Sequence, residues 1–257
     1  MTRLAEITAF VDALLNVANI PDYAAALNGL QLESRGDIQR IATAVDFSSA
    51  VIDGAIRQRA HLILVHHGMY WGGNQPIVGH RYRQISALVQ HDIAVYSAHL
   101  PLDVHAELGN NALLAKHLGL EPSGGFALYQ GIAVGLSGTS QIATRVLAER
   151  AADLSRQFGG TLVTTPFGNE RITRSWGLCT GAGADSSTLR EAAERGIDTI
   201  IVGEGPHHTA VEARELGIAV LYAGHYATET LGVRALGEAV GSRFGIPSTF
   251  IDAPTGL

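Results

Sequence analysis

The apolar run Leu62-Ile63-Leu64-Val65 ends in two adjacent histidines, His66 and His67, followed by Gly68. Imidazole nitrogens bind transition metals and also exchange protons near neutral pH. An apolar run of this length suits a strand buried on both faces. Open α/β sheets place their ligands just past the carboxyl ends of such strands. Neighbouring side chains on an extended chain point in opposite directions, so the pair suits two separate metal ions better than one. An arbitrary His-His pair is more often a surface feature. The position after a buried strand, and a glycine that permits close backbone approach, favour ligation here.

Two further stretches offer donors of the same kind. Ser97-Ala98-His99-Leu100-Pro101-Leu102-Asp103 leaves a strand with a histidine and a carboxylate in a proline-stiffened loop. Asp103 is a hard oxygen ligand. His99 is open between ligand, a group that orients a ligand, and an acid/base. Taken alone, the stretch reads equally as a polar loop. Gly224-His225-Tyr226-Ala227-Thr228-Glu229 spaces a histidine and a glutamate four apart, on one face of a helix that begins near His225. Its bland alternative is a helix start with a dipole-favoured acid in the first turn. Together these donors form a mixed nitrogen and oxygen set suited to zinc, iron, manganese, cobalt or nickel. Five such donors exceed what one tetrahedral ion with an open position needs. A pair of ions about 3.5–4 Å apart, bridged by a carboxylate, would use them all.

The elements that must position these groups follow from hydrophobic period. Residues from about 3 to 17 form an amphipathic helix, and Asn28 to Leu32 a turn into a short strand. Ile41–Val45 is a buried strand whose following helix, to about Arg59, is capped by Ser48 or Ser49. A helix near 81–90 leads to the strand Ala94–Ser97. His99 to Leu108 is a loop, and the helix Asn111–Leu118 ends at Gly119. Ser123-Gly124-Gly125 reads as a linker. Beyond it come a strand at Gly131–Leu136, a helix at about 140–158, and strands at 161–164 and 172–179. A helix capped by Ser186 or Ser187 precedes the strand Thr199–Val202. A helix at 208–216, a strand at 219–223, a helix at about 228–244 and a last strand at 248–251 follow. Alternation of this kind indicates an α/β fold with mostly parallel sheets.

The halves repeat each other. Val45-Asp46-Phe47-Ser48-Ser49, the His66-His67 strand and Ile93 to His99 match Gly183-Ala184-Asp185-Ser186-Ser187, the strand ending at Gly203-Glu204, and Ile218 to His225. Two related α/β domains are therefore expected, with the metal site in the cleft between them: residues 1–125, completed by 227–257, and residues 126–226.

At 257 residues, 46% hydrophobic and 16% charged, the chain can bury a sizeable core. A net charge of -6 argues against nucleic-acid binding, which needs clustered Lys and Arg. Lys116 is the only lysine, so phosphate contacts would fall to arginines or backbone amides. The single cysteine, Cys179, rules out an internal disulfide and fits a reducing, cytoplasmic setting; it reads as a small buried hydrophobe. Glu6 and Asp12 interrupt the N-terminal apolar residues, so no signal peptide is expected. No run approaches the roughly 18 apolar residues of a membrane helix.

His66-His67-Gly68, Ser97 to Asp103 with Gly109-Asn110-Asn111, Gly203-Glu204 and Ala223 to Glu229 resemble the NIF-three-like family, whose members are labelled GTP cyclohydrolase I type 2 homologues. Asn28-Gly29-Leu30-Gln31 and Phe250 to Leu257 match as well. The resemblance spans nearly the whole chain, in the family's short form without the domain inserted in longer members. It implies a two-domain α/β protomer in a toroidal homohexamer, with a dinuclear metal site facing the central cavity. Carried onto matching positions, the ligands are His66, His67, Asp103, His225 and Glu229, with Glu229 as the bridge and His99 and Glu204 beside them. His99 or Glu204 would shuttle protons. The family label implies ring-opening hydrolysis of a nucleotide or related heterocycle by two divalent transition-metal ions. Non-enzymatic metal storage, delivery or sensing, or an oligomeric scaffold, are the alternatives.

Other features are weaker. Gly181-Ala182-Gly183 before a helix is a candidate phosphate cradle, and more simply a strand-to-helix turn. His207-His208 reads as a solvated helix start; His61, His80, His91, His105 and His117 read as surface residues. Tyr70 and Trp71 line a pocket or pack.

Overall fold

The computed structural model describes residues 2–256, and the chain forms two compact α/β units. The first runs through Leu102 and takes in Gly232–Ala253; the second is Asp103–Leu231 with the tail from Pro254. In chain order the elements are α1 (Leu4–Leu14), β1 (Gly29–Leu32), β2 (Ile41–Asp46), α2 (Ser49–Gln58), β3 (Leu62–His67), α3 (Gly79–Gln90), β4 (Ala94–Ser97) and the single turn α4 (Leu100–Asp103). Then come α5 (Asn110–Leu118), β5 (Gly124–Tyr129), β6 (Ile132–Ala143), α6 (Thr144–Gln157), β7 (Val163–Thr164), β8 (Ile172–Cys179), α7 (Ser186–Glu194), β9 (Thr199–Val202), α8 (His207–Glu215) and β10 (Ala219–Tyr222). Helix α9 (His225–Phe244) and β11 (Ser248–Phe250) complete the chain.

The first unit holds a five-stranded sheet in the order β1-β4-β3-β2-β11, and the second a six-stranded sheet in the order β5-β6-β8-β9-β10-β7. The expected repeat is visible in both. In one, β2, β3 and β4 are parallel neighbours, with β1 antiparallel on β4. In the other, β8, β9 and β10 are parallel neighbours, with β7 antiparallel on β10. Strands β3 and β4 are buried along their whole length, as the continuous apolar pattern of a covered parallel sheet requires. Ile63, Val65, Val95, Ala42 and Ala44 pack with Val51, Ile52 and Leu88 from α2 and α3 in one core. Tyr96 donates a 2.5 Å hydrogen bond to Asp12 on α1.

Local chemistry sets the helix ends. Ser48 Oγ accepts from the Val51 amide and caps α2. Gly119, at φ 71°, ends α5. The cap of α7 differs from the expectation of Ser186 or Ser187. Asp185 is the N-cap, with its Oδ1 accepting from the Thr188 amide at 2.7 Å and Thr188 Oγ1 accepting from the Asp185 amide. A carboxylate one residue earlier forms this reciprocal box and displaces the serines.

Three other expectations give way to packing. Ser123-Gly124-Gly125 is not a linker: Gly124 and Gly125 pair with Ser137 and Leu136 in the β5/β6 hairpin. A Cβ on Gly125 would lie 2.3 Å from Ala133 Cβ, so glycine there serves close strand approach. Strand β6 runs on to Ala143, and α6 starts only at Thr144. Within β6, Gly138 makes room for a tryptophan, since a Cβ there would meet the buried Trp176 ring at 2.7 Å. The loop His99–Leu108 contains the helical turn α4, with Pro101 near its start. Among the described residues no helix is long and apolar enough to cross a membrane.

Burial alone would raise the pKa of Asp185, but the bonds from Ser187 Oγ and the Thr188 amide outweigh it and hold the carboxyl below its ordinary value. Such a group adds stability above its unfolded pKa and loses it as pH falls through the lower folded pKa. Asp185→Ala is therefore expected to cost about 0.5–2 kcal/mol at neutral pH. Urea unfolding of both proteins across pH should show the gap closing below the usual carboxylate range.

Candidate metal centre

Strand ends carry the donors in the first unit. Because Val65 pairs with Ser97 across parallel β3 and β4, His66 and His99 emerge at neighbouring strand ends. His66 is fully buried, and its Nδ1 lies 2.9 Å from the Ala98 carbonyl. Ser97 Oγ donates to the His66 carbonyl at 3.0 Å. His67 is paired in register with Asp46 on β2, and its Nδ1 lies 2.8 Å from Asp46 Oδ1. His99 Nδ1 lies 2.8 Å from Asp22 Oδ1. Asp22 Oδ2 also accepts from the Leu100 amide and from Asn28 Nδ2, and Asn28 Oδ1 accepts from the His99 amide. Burial would raise the pKa of Asp22, yet the bonds from His99, Asn28 and Leu100 hold it below its ordinary value.

A carbonyl or carboxylate oxygen can only accept. Each imidazole therefore donates from Nδ1 and carries its lone pair on Nε2. This is the arrangement of metal-binding histidines, whose second nitrogen is held by an oxygen acceptor. His66 and His67 are anchored toward the two strands that flank β3, through the Ala98 carbonyl just after β4 and through Asp46 on β2. Their rings are nevertheless only 4.7 Å apart between centroids, and His99 lies 4.8 Å from His66 and 5.5 Å from His67. The three histidines each offer a ligand atom within 4.8 Å of the others. Trp71 packs at 4.7 Å on His67 and 4.5 Å on His99, and Tyr23 stands 6.0 Å from His99. Tyr70 instead lies under the Arg81 guanidinium. Gly68 leaves room for Gln31: a Cβ would stand 2.4 Å from Gln31 Oε1, which accepts from the Met69 amide.

The second unit takes its donors from the end of α4 and the first turns of α9, with Glu204 just after β9. Asp103, 6% exposed, accepts at Oδ1 from Asn110 Nδ2 at 2.8 Å and from Thr180 Oγ1 at 3.4 Å. Asn111 bridges the Asp103 carbonyl and the Thr180 amide. His225 opens α9, with Nδ1 2.7 Å from Glu204 Oε1 and Nε2 3.1 Å from Glu229 Oε2. Burial would lower the His225 pKa, but Glu229 and then Glu204 raise it to about 9. A cation between His225 and Glu229 would replace that proton. The chemistry of both donor groups, pinned imidazoles with buried carboxylates, fits a divalent metal.

The family model described as Duf34/NIF3 (NGG1p interacting factor 3) matches residues 2–255. The chain belongs to the DUF34/NIF3 family. A relative in Halobacterium salinarum, named GTP cyclohydrolase 1 type 2 homolog, is 44% identical over 93% of this chain and 94% of its own. One of the same name in Pyrococcus abyssi is 39% identical over 98% of each. Among solved structures, the protein ybgI, described as of unknown function, superposes with TM-score 0.88 at 35% identity over 100% of both chains. A Thermus thermophilus protein superposes with TM-score 0.85 at 34% identity, again over 100% of both.

Several groups that shape the DUF34/NIF3 site escape a reading by ligand type. Asp22 and Asp46 lie 77 and 21 residues from the histidines they anchor. The signal for Asp46 was its place at the end of β2, the neighbouring strand in the repeat. Asn28, Gln31, Asn110 and Asn111 act on backbone and carboxylate. Gly181 has a role beside Glu229. At φ 62° it makes space for Glu229, whose Oε1 would lie 2.1 Å from an added Cβ. His207 and His208 are exposed, as are His80, His91 and His117, while His61 and His105 are half-buried. His105 Nδ1 accepts from the Glu107 and Leu108 amides. Cys179 is buried, and burial reinforced by Asp103 and Glu229 pushes its thiol pKa up.

Two substitutions test these supports. Asp46→Asn removes the acceptor-only partner of His67 and should lower affinity for zinc about 10–100-fold with little change in melting temperature. Gly181→Ala should displace Glu229 and lower affinity for zinc while α9 stays folded. Calorimetric zinc titration beside circular dichroism reads both.

Proposed function

We propose that this protein is a divalent-metal hydrolase in which His66, His67, Asp103, His225 and Glu229 hold two transition-metal ions. The observation that carries the reading is the anchoring of His66, His67 and His225 through Nδ1 onto oxygen acceptors. That leaves Nε2 as the ligating atom in each. In this reading Glu229 would help to hold both ions. The names of the relatives support a heterocyclic substrate, a nucleotide or a related ring opened by water. The family resemblance supports assembly as a toroidal homohexamer, and the single cysteine suits a reducing, cytoplasmic setting.

When bound, such ions supply Lewis acidity that lowers the pKa of water and polarises a ring carbon–nitrogen bond. The chain supplies the rest. His99, with Nδ1 held by Asp22, takes a proton at Nε2, and the Asp22 carboxylate stabilises the imidazolium that results. Glu204 orients His225, and its partly exposed carboxylate is the second proton acceptor. Trp71 and Tyr23 screen His99 from water.

Elemental analysis of protein purified without chelator or metal-affinity resin is expected to give close to two ions per chain. A His67→Ala/Glu229→Ala variant should lose most of them. His99→Ala should retain metal but lose at least tenfold in turnover in a hydrolase screen begun with GTP. Equal metal in wild type and double variant would overturn the ligand assignment.

A further inference from the structure

Beside the histidines, the first unit contains a second feature that ligand binding would explain. A cavity of about 270 Å³ opens at the carboxyl ends of β2 and β3, where Phe47 and Gly68 leave the sheet. Phe47 and Trp71 give it aromatic surface, and His80, Arg81 and Gln84 give it a polar wall from the start of α3. Two helices, α2 and α3, begin beside it. Helix α3 has Val78 at its N-cap and no side-chain cap, so its first-turn amides face outward with the positive end of the dipole.

Arg81 is the decisive residue. It lines the cavity, and its guanidinium lies 5.4 Å over the Tyr70 ring. No ion pair joins it to a carboxylate among the described residues. A guanidinium in a cavity wall with no carboxylate beside it is a fork that an entering anion can take. Trp71 is 40% exposed although one side packs on His67 and His99, so aromatic surface remains open beside the cation.

We propose that this cavity binds a planar aromatic ring bearing a single phosphate or carboxylate group, with the ring on Trp71 and Phe47 and the anion on Arg81 and the α3 amides. This deepens the hydrolase reading and rests on it, because the cavity abuts His67 through Gly68. The volume lies just under the roughly 300 Å³ at which pockets for drug-sized ligands begin. A ring with one anionic group fits it, and a triphosphate chain has to lie outside. The substrate class is then a small monoanionic or dianionic heterocycle in preference to a nucleoside triphosphate.

Tryptophan fluorescence reads binding, because Trp176 is fully buried and Trp71 is exposed. Phenyl phosphate titrated into the full chain should quench saturably. Phenol and inorganic phosphate should each bind at least tenfold more weakly. Arg81→Gln should weaken phenyl phosphate at least tenfold with unchanged metal content, and Arg81→Lys, which keeps charge without the fork, should fall between. The series is run on protein as purified and after chelator treatment. Binding that survives chelation supports the pocket even if no hydrolase activity is found. Binding that disappears with the metal, equal affinity in Arg81→Gln, or inorganic phosphate matching phenyl phosphate overturns it. Metal content on the same samples separates failure of the pocket from failure of the metal assignment.

Discussion

The structure depends on one constraint: each strand-end histidine must reach its place with Nδ1 given to an oxygen that cannot donate. A backbone carbonyl holds His66, Asp46 holds His67, Asp22 holds His99 and Glu204 holds His225. Hydrogen bonds to charged groups such as Asp46 and Asp22 contribute about 1.5–3 kcal/mol each, enough to select one tautomer of His67 and of His99. The demand reaches back into the fold. Asp46 meets His67 only if β2 and β3 pair in their observed register, and Ala98 meets His66 only if β4 follows β3 in parallel. A slip of one residue would send every side chain to the other face.

Glycines complete the same design where side chains must come close. Gly68 yields to Gln31, which ties the chain after His67 by accepting from Met69. Gly181 yields to Glu229 and holds a positive φ that other residues rarely adopt. Backbone bonds link Glu204 to Gly181 and Gly224 to Gly203, so the turns carrying Glu204 and His225 are fixed together.

Much of this was legible in the sequence, for identifiable reasons. The strand ending in His66-His67 declared itself because a fully buried parallel strand is continuously apolar. The repeat declared itself because each copy spells strand, cap, helix and strand in the same order. What stayed hidden was long-range or local competition. Asp22 and Asp46 look like ordinary loop and strand-end acids until the sheet brings them to the imidazoles. Asp185 took the cap from two serines by forming a reciprocal box, a choice settled by one residue of register. Gly124-Gly125 looked like a linker because composition does not distinguish flexibility from the space that Ala133 needs.

The most direct measurement is long-range nitrogen–proton correlation NMR of the imidazole rings, assigned with single His→Gln variants and recorded before and after zinc. His66, His67 and His99 should show protonated Nδ1 and unprotonated Nε2. Zinc should shift the Nε2 signals of His66 and His67 while their Nδ1–H signals persist. Nε2–H tautomers at His66 and His67, or ring signals indifferent to zinc, would contradict the account.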